Sequence, residues 1–314
     1  SFFGGVCHVR TFLLDDYLVQ DFVRTSPLHC VPTQGVNRNG GTSMHKKLGI
    51  SSTIREYLKL EEEMREQVDR DNRIMRDVGG KCVYLPCMRP KGKVDFIFVA
   101  MEPRIERWVP FKKFEELCGK GFVNFIGDMY CAAVHHSIWR ALEIQEFSRY
   151  HITDLSKGAM STRLADIKRN ERYERWKPLL KKEIEILSKH HVTEVIALGE
   201  EARIVVGEII GKNPLTLYHY SRVNTHFKNK IVRNGWEQEY NRLNKAQLKK
   251  DIVTFNKNEL LPLLPPEVMD MEEGDGLHLI KRESGNQSFE PIFMRSFVYQ
   301  HELQHLKQPL TTFG

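Results

Sequence analysis

Four segments of this 314-residue chain carry side chains suited to acid–base chemistry, and each closes an apolar run of strand length. Met101-Glu102-Pro103-Arg104 follows Val94-Asp-Phe-Ile-Phe-Val-Ala100, and Asp154 lies at the end of His151-Ile-Thr-Asp-Leu155, ahead of Ser156 and Lys157. Gly199-Glu200-Glu201-Ala202 follows Thr193-Glu-Val-Ile-Ala-Leu198, and His219 closes Leu215-Thr-Leu-Tyr-His219. Two carboxylates and an imidazole can orient a water, accept a proton or donate one. Taken singly, a strand-end Glu, Asp or His has an ordinary structural role. Four such ends in order form a constellation. A second pattern, His301-Glu-Leu-Gln-His305, places two His one helical turn apart with a Glu between them, the arrangement of a zinc protease. The third ligand in the common classes lies downstream, and the nine residues after His305 hold no His, Asp, Glu or Cys. The expectation is therefore no metal.

The elements that would position the first set alternate. Between the apolar runs lie stretches of helical character at 128–142, at 171–189 (basic and amphipathic) and at 200–210. Strands alternating with helices imply a parallel sheet covered on both faces, and ligands of such sheets sit outside the carboxyl ends of the strands. The fold expected is a three-layer α/β/α sandwich with a central four-stranded parallel sheet, with the four segments on one rim. Ahead of it, residues 1–80 read as an N-terminal extension with a long helix over 53–77. Thr53-Ile-Arg-Glu56 is a capping box, Ile54, Leu58, Met64 and Val68 share a face, and Gly79-Gly80 stop the helix. Residues 81–255 form the core, with a further helix at 236–250. Residues 256–314 read as a C-terminal appendage with one helix near 296–307.

Composition bounds the function. Hydrophobic residues at 41% and charged residues at 28% exclude wholesale disorder. There is no run of 18 apolar residues, so no membrane span is expected. The opening Ser-Phe-Phe, without a basic region before an apolar stretch, reads as a trimmed chain and not as a secretory signal. Six cysteines in a chain of this length point to reduced thiols and a cytoplasmic setting, nucleoid-associated if the source is bacterial. A net charge of +6 is compatible with a polyanion partner.

In this order the four segments resemble the motifs of the uracil-DNA glycosylase superfamily, over roughly residues 81–250. Ala100-Met-Glu-Pro-Arg104 stands where members carry G-Q-D-P-Y, G-M-N-P-G or G-E-x-P-G. Ile152-Thr-Asp-Leu-Ser-Lys157 stands for V-T-N-x-V-K, Val195-Ile-Ala-Leu-Gly199 for V-x-A-L-G, and His219-Tyr-Ser221 for H-P-S. The resemblance implies hydrolysis of the N-glycosidic bond of a flipped-out base by a monofunctional, monomeric enzyme without metal or organic cofactor. Glu102 would stabilise the oxocarbenium-like sugar and orient a water, and His219 would stabilise the departing base. Glu is one methylene longer than the family's Asp, a shift of roughly 1.5 Å that must be compensated. The base would lie against Met101, Asp154 and an aromatic residue: Phe122, since Gly119-Lys-Gly-Phe-Val123 resembles G-x-P-F, or else Phe125. Ser221 with a wedge from Arg222, Val223 or Asn224 would enter the DNA, and Arg104, Arg107 and Lys157 would meet phosphates. Some members hold an iron–sulfur cluster on four Cys, but Cys82 and Cys87 precede the first strand and none follows Cys131.

Asp154 departs from the family pattern. The family's Asn can accept from N3–H and donate to O4 of uracil, whereas an ionised Asp only accepts. Cytosine presents an amine at N4, and a protonated Asp154 could also donate to N3. Burial beside Glu102 would favour that proton. Plain cytosine is excluded as a substrate, because excising it would destroy the host genome. The expectation is a modified cytosine of the 5-hydroxymethyl or glucosylated kind, as in phage DNA, in a defence role. The alternatives are repair of uracil or another deaminated base, or a non-catalytic DNA-binding module of the same fold.

Overall fold

The computed structural model describes residues 51–105, 110–126, 129–219, 224–268 and 289–304. Along the chain these form α1 (Ser52–Met75), β1 (Val83–Tyr84), β2 (Phe96–Ala100), β3 (Arg104–Ile105), α2 (Phe111–Gly119) and α3 (Met129–Leu142). There follow β4 (Tyr150–Asp154), β5 (Gly158–Ser161), α4 (Arg169–Ser188), β6 (Glu194–Leu198), α5 (Glu200–Ile210) and β7 (Leu215–Leu217). The remaining helices are α6 (Asn224–Arg233), α7 (Glu237–Arg242), α8 (Lys245–Phe255) and α9 (Glu290–Gln304).

Strands β4, β2, β6 and β7 lie side by side in that order, all parallel, with Ala100 paired to Asp154 and Leu198 to Leu217. Successive strand residues face opposite sides, so a doubly covered sheet needs apolar residues at every position. Ile97, Val99, Val195 and Ala197 pack with Tyr57 and Leu60 of α1 and with Trp176 and Leu180 of α4. Phe98, Ala100, Ile152, Ile196 and Leu198 pack the other way, on Val134 and Ile138 of α3 and on Tyr299 and Leu303 of α9. The four-stranded parallel sheet between helical layers matches the sequence reading.

Several boundaries differ. The N-cap of α1 is Ser51, whose Oγ accepts from the Ile54 N–H at 3.2 Å, so the helix begins earlier than the Thr53 box. Three successive hydroxyl residues offer equivalent caps, and periodicity does not choose between them. The helix expected at 236–250 is two helices, because the Asn244 side chain accepts from the Gln247 N–H at 3.0 Å and starts α8 afresh. The division drawn at 255 has no counterpart in the packing. Helix α9 buries Ile292, Phe293, Phe297 and Val298 in a core shared with α3 and α8, and Ser296 Oγ meets Ser137 Oγ at 3.0 Å. Among the described residues no helix is long and apolar enough to cross a membrane. Residues 1–50 lie outside the described residues.

A second, three-stranded sheet, ordered β1-β5-β3, lies beyond the carboxyl ends of β2 and β4. Strand β5 pairs antiparallel with β1 and parallel with β3, and the Leu85 N–H donates to the Lys157 carbonyl at 2.8 Å. Strands of two to four residues leave no periodic signal. This small sheet nonetheless decides which rim residues are buried.

Candidate functional site

The chain passes from β2 to β4 on one side and then returns to β6 on the other, so the crevice outside β2 and β6 is a topological switch point, where α/β sheets bind ligands. The ladder between β2 and β4 continues past their ends. Leu155 N–H donates to the Ala100 carbonyl and Ser156 N–H to the Met101 carbonyl, both at 2.9 Å. Asp154 thus lies level with Ala100 and Glu102 two residues farther out, level with Ser156, on adjacent strand ends, and each is only 2% exposed.

Glu102 is surrounded by guanidinium groups. Arg172, in the first turn of α4 and fully buried, places NH1 3.1 Å from Oε2, while its NH2 donates to the Ala165 carbonyl at 2.6 Å. Arg104 and Arg169 stand 3.5 and 3.7 Å from the other oxygen, Oε1, which makes no hydrogen bond within the protein. Arg169 also pairs with Glu201 in the first turn of α5, joining the Glu102 cluster to the turn after β6.

Asp154 has a different environment. Burial pushes its carboxyl up to about 8; Glu102 and Glu183 add to this, while Lys157 and a hydrogen bond from Asn124 oppose it. At neutral pH the group therefore carries a proton. Asn124 donates from Nδ2 to Asp154 Oδ2, which leaves Oδ1 to carry that proton. The Asn124 amide is itself oriented, because its Oδ1 accepts from the Phe125 N–H at 3.0 Å. Phe125 holds φ at 67°, a left-handed conformation that costs a bulky residue about 1–3 kcal/mol. The neighbours fix that conformation: the Phe125 carbonyl meets His135 Nε2 at 2.8 Å, and His135 Nδ1 meets the Tyr150 hydroxyl at 2.6 Å. Burial pulls His135 down to about 4, so the ring is neutral. It must then donate from Nε2 to the carbonyl and accept at Nδ1 from Tyr150, whose oxygen accepts from Trp139 Nε1 at 3.1 Å. Phe125, Val134 and Ile152 pack together in the apolar core on this face of β4, with Cys131 and His135 beside them.

Gly199 and His219 meet across the rim. Gly199 opens α5 at φ +102°, and its N–H donates to the Leu217 carbonyl at 2.8 Å. A Cβ there would stand 3.2 Å from the Cβ of His219, so the turn needs glycine both for its conformation and for the close approach of that His. His219 is 9% exposed. The structure thus brings Glu102 and Asp154 together at the ends of paired strands, with Gly199 and His219 at the next two strand ends.

Other expected site residues are placed elsewhere. Lys157 does not meet phosphates: it is buried, pairs with Glu183 Oε2 at 3.0 Å and donates to Thr153 Oγ1 and the Asp154 carbonyl. Arg104 is likewise buried, between Glu102 and Asp166. The cause in both cases is the small sheet, whose strands β3 and β5 begin at Arg104 and Gly158 and cover this part of the rim. Phe122 is no stacking platform; it is a core residue edge-on to Phe114, with centroids 5.2 Å apart. Met101 is also a core residue, on the α1 and α4 face. Phe125, the reserve candidate, is likewise a core residue, packed on the α3 face of the sheet. Arg107, Ser221, Arg222 and Val223 lie outside the described residues, and of Asn224 the structure gives only that it opens α6.

The HExxH segment is engaged otherwise. His301 stacks on Trp236 and stands 3.2 Å from Glu239, and Glu302 pairs with Lys230 at 2.6 Å, while His305 lies outside the described residues. Among the described residues no group of three His, Cys, Asp or Glu could hold a metal ion.

Sequence reasoning missed Asn124, His135 and Arg172. Asn124 and His135 sit among apolar residues in segments read only for their aromatic or helical pattern. Arg172 lies in a helix whose alternating charges read as a solvated face. That holds for Arg175 with Glu171 and for Lys177 with Glu174, but fails for Arg172 and Glu183, which are fully buried. Comparison with family models, with curated proteins and with solved structures gives no match.

Proposed function

We propose that this protein is a DNA glycosylase that hydrolyses the N-glycosidic bond of a flipped-out modified cytosine and leaves an abasic site, in defence against phage DNA. The observation that carries the proposal is a buried Asp154, its carboxyl pushed up to about 8 by burial and bonded by Asn124, at the end of β4 next to β2, whose end leads to Glu102. A neutral Asp154 would donate from Oδ1 to N3 of cytosine, and the remaining lone pair on Oδ2 would accept from the N4 amine. Uracil carries a hydrogen on N3 and an acceptor at O4, so both contacts would meet the wrong partner. Glu102 would direct a water onto the sugar carbon as the bond to the base nitrogen breaks. The bond's electron pair leaves with the base, where a donor at His219 would stabilise the charge.

One observation favours a second reading. Glu102 is buried and tied to Arg172, as expected also of a structural ion pair in a non-catalytic DNA-binding module. Base release from oligonucleotides carrying uracil, cytosine, 5-hydroxymethylcytosine or its glucosylated form separates these readings. Release confined to a modified cytosine, lost by ~10²-fold or more in Glu102→Gln, is the outcome expected of the glycosylase. Release from uracil would return the protein to repair of deaminated bases. DNA binding without release from any of the four would leave the binding module.

A further inference from the structure

We infer that Arg172 is a positioning residue that fixes Glu102 for catalysis by holding one carboxylate oxygen and leaving the other for the reacting water. The inference rests on the glycosylase reading and adds a residue to it. Glu102 sits in the loop immediately after β2, on a side chain one methylene longer than Asp and correspondingly freer to rotate. A water-activating carboxylate must be held to within a fraction of an ångström, so that extra torsion has to be restrained.

The structure supplies a restraint in two parts. The Arg172 guanidinium bridges Glu102 Oε2 at 3.1 Å and the Ala165 carbonyl at 2.6 Å, tying the carboxylate to the loop before α4 as well as to the helix. Those bonds use NH1 and NH2, while Arg172 Nε is buried without a hydrogen bond. The side chain is therefore arranged to serve the carboxylate and the loop at the expense of its own third donor site. Glu102 Oε1 is buried and makes no hydrogen bond in the protein, although Arg104 and Arg169 stand 3.5 and 3.7 Å away. Three guanidinium groups surround the carboxylate, yet only one of its oxygens is hydrogen-bonded. A purely structural ion pair would gain by bonding both oxygens. A carboxylate that must accept a proton from water needs one oxygen held and one with its lone pairs available.

The test is a double-mutant cycle read as single-turnover base release from the modified-cytosine oligonucleotide. Arg172→Lys and Arg172→Gln are each made alone and with Glu102→Gln, and DNA binding and thermal unfolding are followed for each variant. Lysine keeps the charge but cannot reach the carboxylate and the Ala165 carbonyl together. The expected result is a loss of about 10- to 100-fold in the rate constant for Arg172→Lys, with DNA affinity within about twofold of wild type. In the Glu102→Gln background the same change should produce no further loss, because Arg172 acts through Glu102. Equal losses in both backgrounds, or weakened DNA binding at an unchanged rate, would overturn the inference. If Arg172→Gln does not fold, Arg172→Lys carries the cycle by itself. A wild-type protein that releases none of the four bases overturns the glycosylase reading, whereas an active wild type with additive losses overturns the positioning role alone.

Discussion

Two buried carboxylates lie against β4, Asp154 at its end and Glu183 beneath its other face, and they carry opposite charge states. Burial raises both. For Asp154 the result is about 8, whereas Glu183 is held at about 2 by Lys157 and His151. The difference lies in the partners. Lys157 donates to Glu183 Oε2 at 3.0 Å and meets only the backbone carbonyl of Asp154. Glu183 also accepts from Tyr57 at 2.9 Å and from Thr153, and it meets His151 at 3.0 Å. Asp154 receives a neutral amide from Asn124. One lysine lies between two acids, and the direction of its ammonium group leaves one of them ionised and the other protonated. The ionised acid is fully satisfied and belongs to the scaffold. The protonated one lies at the rim beside Glu102.

The most damaging way to break this contrast is Glu183→Gln, which leaves Lys157 buried without its counter-ion. A loss of about 3–5 kcal/mol is expected in chemical denaturation at pH 7. The pH dependence should change with it. Because Glu183 lies below its ordinary value when folded, its contribution is present above about pH 4.5 and is lost as pH falls toward about 2. The variant should therefore lack that part of the acid limb.

Asp154→Asn sharpens the contrast with the opposite sign. The folded protein retains on Asp154 a proton that the unfolded chain releases above about pH 4, so this group's contribution falls as pH rises from about 4 to about 8. The variant should be little changed at pH 4 and gain on wild type up to pH 8, by an order of a few kcal/mol, as measured by denaturation across that range. If the two curves stay parallel, Asp154 is ionised throughout and the cytosine argument falls with it. The smallest effect is expected from Tyr57→Phe, which removes a hydroxyl that donates to the ionised Glu183 and also meets His151 Nε2 at 3.4 Å. About 1.5–3 kcal/mol should be lost near neutral pH, with a smaller loss below pH 2, where Glu183 is protonated.

The legible parts of this molecule are those that rest on local pattern. Ile97 and Val99 against Phe98 and Ala100 form an uninterrupted apolar run, which implies a strand covered on both faces, and the residues at its end follow directly. Asp154 was legible as a strand-end carboxylate from its neighbours Ile152, Thr153 and Leu155. Arg104, Lys157, Arg172 and Glu183 were not legible. In sequence each is one more charge in a charged segment, and its burial follows from contacts with residues distant along the chain.

Period and order are properties of the chain, and from them follow the alternating strands and helices, the parallel sheet, and the placing of Glu102, Asp154, Gly199 and His219 at successive strand ends. The proton on Asp154 and the partners that hold it and Glu102 come from tertiary packing alone. A side chain's charge state depends on burial and on the direction of its nearest cation, and both arise when α1, α4 and the small sheet close over the rim.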